Sequence, residues 1–190
     1  MAMTFLRAID KLNTRIGTTV AWFALAMVLV QFLVVVMRYV FGVGSLMMQE
    51  SIIYLHGTMF MLGSAYTLLN NGHVRVDVFY READPRWKAK VDFAGHVFFL
   101  IPVCTLIFIY SWAYVLGSWA SLEGSRETSG IPGVFVLKTV VLVFCALMIL
   151  QGLAQGLKAL MLLTGRLSVR DVYPQDSVAD TAQEARSSGQ

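Results

Sequence analysis

The chain has 190 residues, 57% of them hydrophobic and 14% charged, with a mean hydropathy of +0.65. A soluble domain carries about 25% charged residues, so this composition excludes an ordinary soluble enzyme and points to a membrane protein. The net charge of +3 and the pI near 9.0 do not argue for nucleic acid, because the basic residues flank apolar runs and read as topology signals.

A helix rises about 1.5 Å per residue, so about 20 apolar residues cross a ~30 Å hydrocarbon core. Runs at residues 16–37, 50–69, 91–119 and 132–163 meet that length. The first is bracketed by Arg15 and Arg38. It is too long for a signal-peptide core and is expected to stay as an anchor. The second opens at Glu50 and ends at "NNGHVRVDVFY". There Asn71-Gly72 suits a helix stop, with Gly72 near the left-handed position just past the end. If the chain is extended beyond it, His73, Arg75 and Asp77 fall on one side, and Val74, Val76 and Val78 on the other. The third and fourth runs are longer than a perpendicular span requires. Pro132 suits the first turn of the fourth helix, and Gly165 suits its stop. From Ser168 the composition turns polar, so residues 168–190 read as a disordered tail.

Orientation follows from the bases. Twelve of the fifteen Lys and Arg lie before the first run, between the second and third, or at and beyond the end of the fourth. Arg38, Arg126 and Lys138 lie on the other side. The richer side is cytoplasmic. The expected fold is therefore an all-α integral membrane protein with four transmembrane helices, both termini cytoplasmic, and a disordered C-terminal tail.

Signs of chemistry are sparse. Cys104 and Cys145 lie inside apolar runs with no ligand spacing around them, so neither a disulfide nor a metal is assigned. His56 and His96 fall at different depths and do not share a haem. No phosphate-binding loop, zinc-protease motif or dinucleotide fingerprint occurs. Lys138 and Asp92 lie near span ends and read as snorkelling charges. Glu50 suits a helix N-terminus. Gln31, Gln151 and Gln155 read as hydrogen-bonding glue between helices. Apolar span centres suit a scaffold or accessory subunit, not an enzyme, with no cofactor. Two other readings stay open: a membrane anchor subunit for a redox or signalling partner, and a self-sufficient four-span transporter working as a homodimer.

Several short motifs occur in order: "MRYVFG", "SLMMQES", "FMLGSAYTL", "NGHVRVDVFY", "EGSRETSGIPG" and "LQGLAQGL". On a four-span topology this set resembles the small membrane subunit, DctQ-like, of tripartite ATP-independent periplasmic (TRAP) transporters, over about residues 5–165. Where the family often has a Trp and paired acidic residues, this chain has Met47-Met48-Gln49-Glu50 and keeps only the final Glu. The resemblance implies a DctQ-like domain over residues 1–167 in a bacterial inner membrane. It implies two protein partners besides membrane lipid: a large permease subunit holding the transport sites, and a periplasmic solute-binding protein. Uptake of an organic acid driven by an ion gradient, usually sodium, is also implied.

On that resemblance Glu50, Gly63, His73, Arg75 and Asp77 are family-motif or subunit-contact candidates. Glu123, Arg126, Glu127 and Pro132 are candidates for docking the binding protein. The small residues Gly57, Gly63, Ser64 and Ala65, and the pair Gly152 and Gly156, are expected to allow close helix packing.

Overall fold

The computed structural model describes residues 2–73 and 83–173. Among them every regular element is helical, and four helices are long and apolar enough to cross a membrane. They are α1 (Ala2–Tyr39), α2 (Leu46–Leu69), α3 (Pro85–Ala120) and α4 (Val134–Leu163), followed by a short α5 (Val169–Val172). The chain runs up and down. The loops 40–45 and 121–133 therefore meet at one end, here the loop end. The start of α1, the end of α2, the start of α3 and the end of α4 lie at the other, the terminal end.

α1 starts well before the apolar run that announces it. Leu6, Ile9, Asn13, Gly17 and Val20 are buried and recur at helical spacing, so one stripe continues across the polar first turns. Gly17 matters most in that stripe. A Cβ there would fall on the Cβ and ring of Tyr66, so its absence lets α1 and α2 approach closely along their shared seam.

α4 is the central helix. Of its most apolar stretch 22% is buried, against 6% for α1, and it touches each of the other long helices. One apolar cluster joins Ala65, Leu68, Cys104, Leu147 and Met148. A second joins Ala89, Ala159, Leu162 and Tyr173, and a third joins Leu6, Ile9 and Ala154. Gly152 packs under Leu100 and Gly156 near His96, so this small pair serves packing within the subunit.

α3 extends six residues further toward the terminal end than the apolar run suggests. Pro85 sits in its first turn, where the missing N–H costs nothing. Its course includes a π-turn at His96–Leu100, closed by the Ile101 N–H to the His96 carbonyl. The cause is local. Pro102 has no N–H to offer Phe98 and its ring crowds that carbonyl, and the wider turn just before it relieves both.

Three helix ends share one stop. In α4 the N–H of Arg166 reaches the Met161 carbonyl and that of Gly165 reaches Leu162, with Gly165 at φ 71°. In α2 the residue with positive φ is Asn71 (54°), and Gly72 follows it by donating to the Thr67 carbonyl. The stop is thus one residue earlier than the glycine suggested, because an asparagine tolerates this conformation. In α3 the same place is held by Leu122 at φ 45°, a strained choice for a branched side chain.

The segment after α4 departs from the polar-tail expectation. Ser168 caps α5 through a reciprocal pair with Asp171. Tyr173 then packs against Ala89 and Ala159, and its hydroxyl donates to Asp92 at 2.8 Å. Asp92 is consequently tied to this segment and is not a snorkelling charge. Residues 174–190 lie outside the described residues.

Candidate functional site

The loop end is built around two carboxylates. Glu50, in the second turn of α2, accepts from the Ser125 hydroxyl and from the Ile131 N–H at 2.6 Å. Both partners lie in the α3–α4 loop, whose own backbone closes through Ser125 N–H to the Ile131 carbonyl (3.1 Å). The Ser125 hydroxyl also receives the Glu127 N–H at 3.2 Å. Gly130 completes the ring, since a Cβ there would collide with Ser125 and with the Glu50 carboxylate. From α2, Glu50 therefore grips the loop between α3 and α4.

Glu123 makes the second tie. The positive φ of Leu122 turns the chain so that the Glu123 N–H reaches the Ser118 carbonyl at 3.0 Å. The Glu123 carboxylate then accepts from Lys138 at 2.5 Å and from the Ser118 hydroxyl at 2.8 Å. The Lys138 hydrogen bond, and secondarily that of Ser118, holds the Glu123 carboxyl below its ordinary range. The Lys138 ammonium also lies 4.0 Å from the centre of the Tyr114 ring. Lys138 was read as a snorkelling charge, and the structure corrects this: it is an ion-pair partner that joins α3, the loop and α4. Beside it, Trp119 stacks edge-on against Phe135 (4.6 Å) and donates to Thr139 at 2.8 Å.

What these ties leave outward is short. Arg126 and Glu127 are exposed at the crest, as is Pro132. Pro132 precedes α4, whose N-cap is Gly133, so it does not occupy the helix's first turn. Of the docking candidates, Glu123 is spent on holding the loop, and Arg126, Glu127 and Pro132 are presented.

The terminal end carries a polar set that sequence reasoning largely missed. Lys158 donates to both oxygens of Asp10, at 2.9 and 2.7 Å. Gln151 donates to Asp10 at 3.2 Å and accepts from Asn13 at 2.6 Å. Asn13 and Gln151 are 1% and 0% exposed, so these bonds cross the α1–α4 contact out of reach of water. The missed signal was the spacing of Leu6, Ile9, Asp10 and Asn13, which extends the helical stripe of α1 backward. Gln155 donates to the Leu69 carbonyl at 3.2 Å and ties down the end of α2.

Gly63 and His73 line one groove of about 560 Å³ between α1 and α2, along with Gly17, Val20, Phe60 and Tyr66. A Cβ on Gly63 would meet only Val20, at 3.9 Å. Arg75 and Asp77 lie outside the described residues. Among the described residues no group of three or more His, Cys, Asp and Glu is placed to hold a metal ion.

No curated protein and no solved structure matches the chain. A family model described as tripartite ATP-independent periplasmic transporters, DctQ component, matches residues 27–161. That stretch holds all of α2, α3 and the loop gripped by Glu50, with the last third of α1 and most of α4. Members are transporter components of the inner membrane that work with a large permease and a periplasmic binding protein, not enzymes. The chain belongs to the DctQ family, the small permease subunits of TRAP transporters.

Proposed function

We propose that this small TRAP subunit braces the large permease subunit in the membrane and helps to dock the periplasmic binding protein, in ion-gradient-driven uptake of an organic acid, with sodium as the coupling ion. In this reading the loop end is periplasmic and both termini are cytoplasmic. The support is the distribution of bases: twelve of fifteen Lys and Arg belong to the terminal end or its connections.

The observation that carries the docking role is the braced loop. Two carboxylates, Glu50 and Glu123, fix its backbone from below, and Arg126 and Glu127 are left exposed at its crest. A loop ordered in advance presents charges with little further entropy to lose on association. The bracing role draws on the open groove beside Gly63, where small residues admit a neighbouring helix.

The test is uptake at limiting binding-protein concentration by cells or liposomes carrying the whole complex. The double reversal Arg126→Glu, Glu127→Arg is expected to weaken uptake while leaving co-purification with the large subunit intact. Normal uptake under that limitation removes the docking role. Gly63→Leu is expected to lower the yield of the co-purified pair, and an unchanged yield removes this groove from the brace.

A further inference from the structure

A second cleft, of about 360 Å³, opens at the loop end of the α1–α2 seam. Its walls include Gln31, Val34, Val35 and Arg38 from α1 and Gln49 and Ile52 from α2. Arg38 stands in the last turn of α1, at the depth where a span meets the headgroups. It is exposed, and among the described residues no carboxylate lies within ion-pair distance of it. The nearby Glu50 carboxylate is occupied by Ser125 and Ile131.

Gln31 lies on the same face of α1, seven residues or about 10 Å deeper. It is the sole polar side chain between residues 21 and 37. Unlike Asn13, Gln151 and Gln155, which are bonded inside the bundle, it is exposed and makes no hydrogen bond among the described residues. An amide facing hydrocarbon without a partner is costly. The cleft thus offers a free cation and the Gln49 amide at headgroup depth, a donor amide about two turns below, and aliphatic side chains between them. A glycerophospholipid has the complementary order: phosphodiester, ester carbonyls, acyl chain.

We propose that this cleft binds one glycerophospholipid. Arg38 and Gln49 hold its phosphodiester, Gln31 donates to an ester carbonyl, and an acyl chain lies along Val34, Val35 and Ile52. Arg38 supplies a planar, permanently charged fork for the phosphate.

The experiment is native mass spectrometry of the full chain in detergent, titrated with phosphatidylglycerol and, in separate arms, with glycerol 3-phosphate and inorganic phosphate. One bound phosphatidylglycerol is expected. Its affinity should fall about tenfold in Arg38→Gln and about threefold in Gln31→Leu. The two water-soluble phosphates should not bind. Wild-type lipid affinity in both variants overturns the proposal, and so does equal binding of inorganic phosphate, which would mark a soluble-anion site. Absence of lipid, together with lost co-purification of the large subunit in Arg38→Gln, also overturns it in favour of a carboxylate on a protein partner. Should a variant misfold, a photo-crosslinkable phospholipid on the wild-type chain decides. Adducts concentrated on residues 31–52 support the site, and adducts absent or spread over all four long helices refute it.

Discussion

Replacing Gln151 by leucine tests whether the α1–α4 contact rests on a directional polar chain. The Asp10 carboxylate can only accept, so Gln151 must turn its NH2 toward Asp10 and its carbonyl toward Asn13. Gln151→Leu removes both bonds. Asp10 keeps Lys158, so that loss is small, about 0.6 kcal/mol. Asn13 fares worse: it is 1% exposed and its carbonyl oxygen already has no partner, so its NH2 also becomes an orphan. A buried group left unsatisfied costs about 1–3 kcal/mol. The single variant should therefore lose about 2 kcal/mol, roughly a thirtyfold shift in the folding equilibrium. Removing both amides leaves an apolar contact with nothing to satisfy, so Asn13→Leu, Gln151→Leu should be more stable than Gln151→Leu alone, by about 1 kcal/mol. Equilibrium unfolding in mixed micelles, followed by tryptophan fluorescence, measures all three. Additive losses, to within about 0.5 kcal/mol, would refute the directional chain.

The loop end yields further outcomes. Leu122→Gly relieves a left-handed backbone on an exposed side chain and should stabilise by about 1 kcal/mol, seen as a higher Tm. Gly130→Ala drives a methyl into Ser125 and Glu50, so Tm should fall and proteolysis within 121–133 should quicken; unchanged protection would show that the loop yields freely. Glu123 titrates below its ordinary range in the folded chain, so its contribution is present above the ordinary carboxylate pKa and is lost as pH falls through the lowered value. Thermal unfolding between about pH 3 and pH 7 should show this acid loss in the wild type and a shallower one in Glu123→Gln. At the terminal end, Tyr173→Phe should cost about 1 kcal/mol for its bond to Asp92, and Tyr173→Ala about 3 kcal/mol by also emptying its packed site.

The four spans were legible because each contains a stretch too apolar for anything but a helix in lipid. Charge placed the loops at opposite ends, but it left the ends of the helices obscure. α1 begins at Ala2 because Leu6, Ile9 and Asn13 continue its buried face, a pattern hidden by the intervening Arg7, Asp10 and Lys11. The roles of Glu50 and Lys138 depend on partners in the loop, and for Glu50 those lie 75 and 81 residues away. No local spacing reports such a partner. The same holds for Asp10 with Lys158 and for Tyr173 with Asp92. A lone carboxylate and a lone aromatic in polar segments carry no signal until the chain is folded. The motif "EGSRETSGIPG" marked this loop as a unit, yet could not separate Glu123, which holds it, from Arg126 and Glu127, which it displays.

The two ion pairs of α4 also set a length. Lys138 and Lys158 are twenty residues apart, or about 30 Å along the helix, which equals the usual hydrocarbon thickness. Each is neutralised by a carboxylate from another part of the chain, Glu123 at one end and Asp10 at the other. α4 is therefore graduated like a ruler, its two marks spaced as far apart as the two faces of an average hydrocarbon core. A noticeably thicker membrane would draw one pair into hydrocarbon, and a thinner one would strand apolar turns in water. Tilt would shorten the reach between the two pairs, so packing against the other three long helices and the two anchored charges together set how α4 stands.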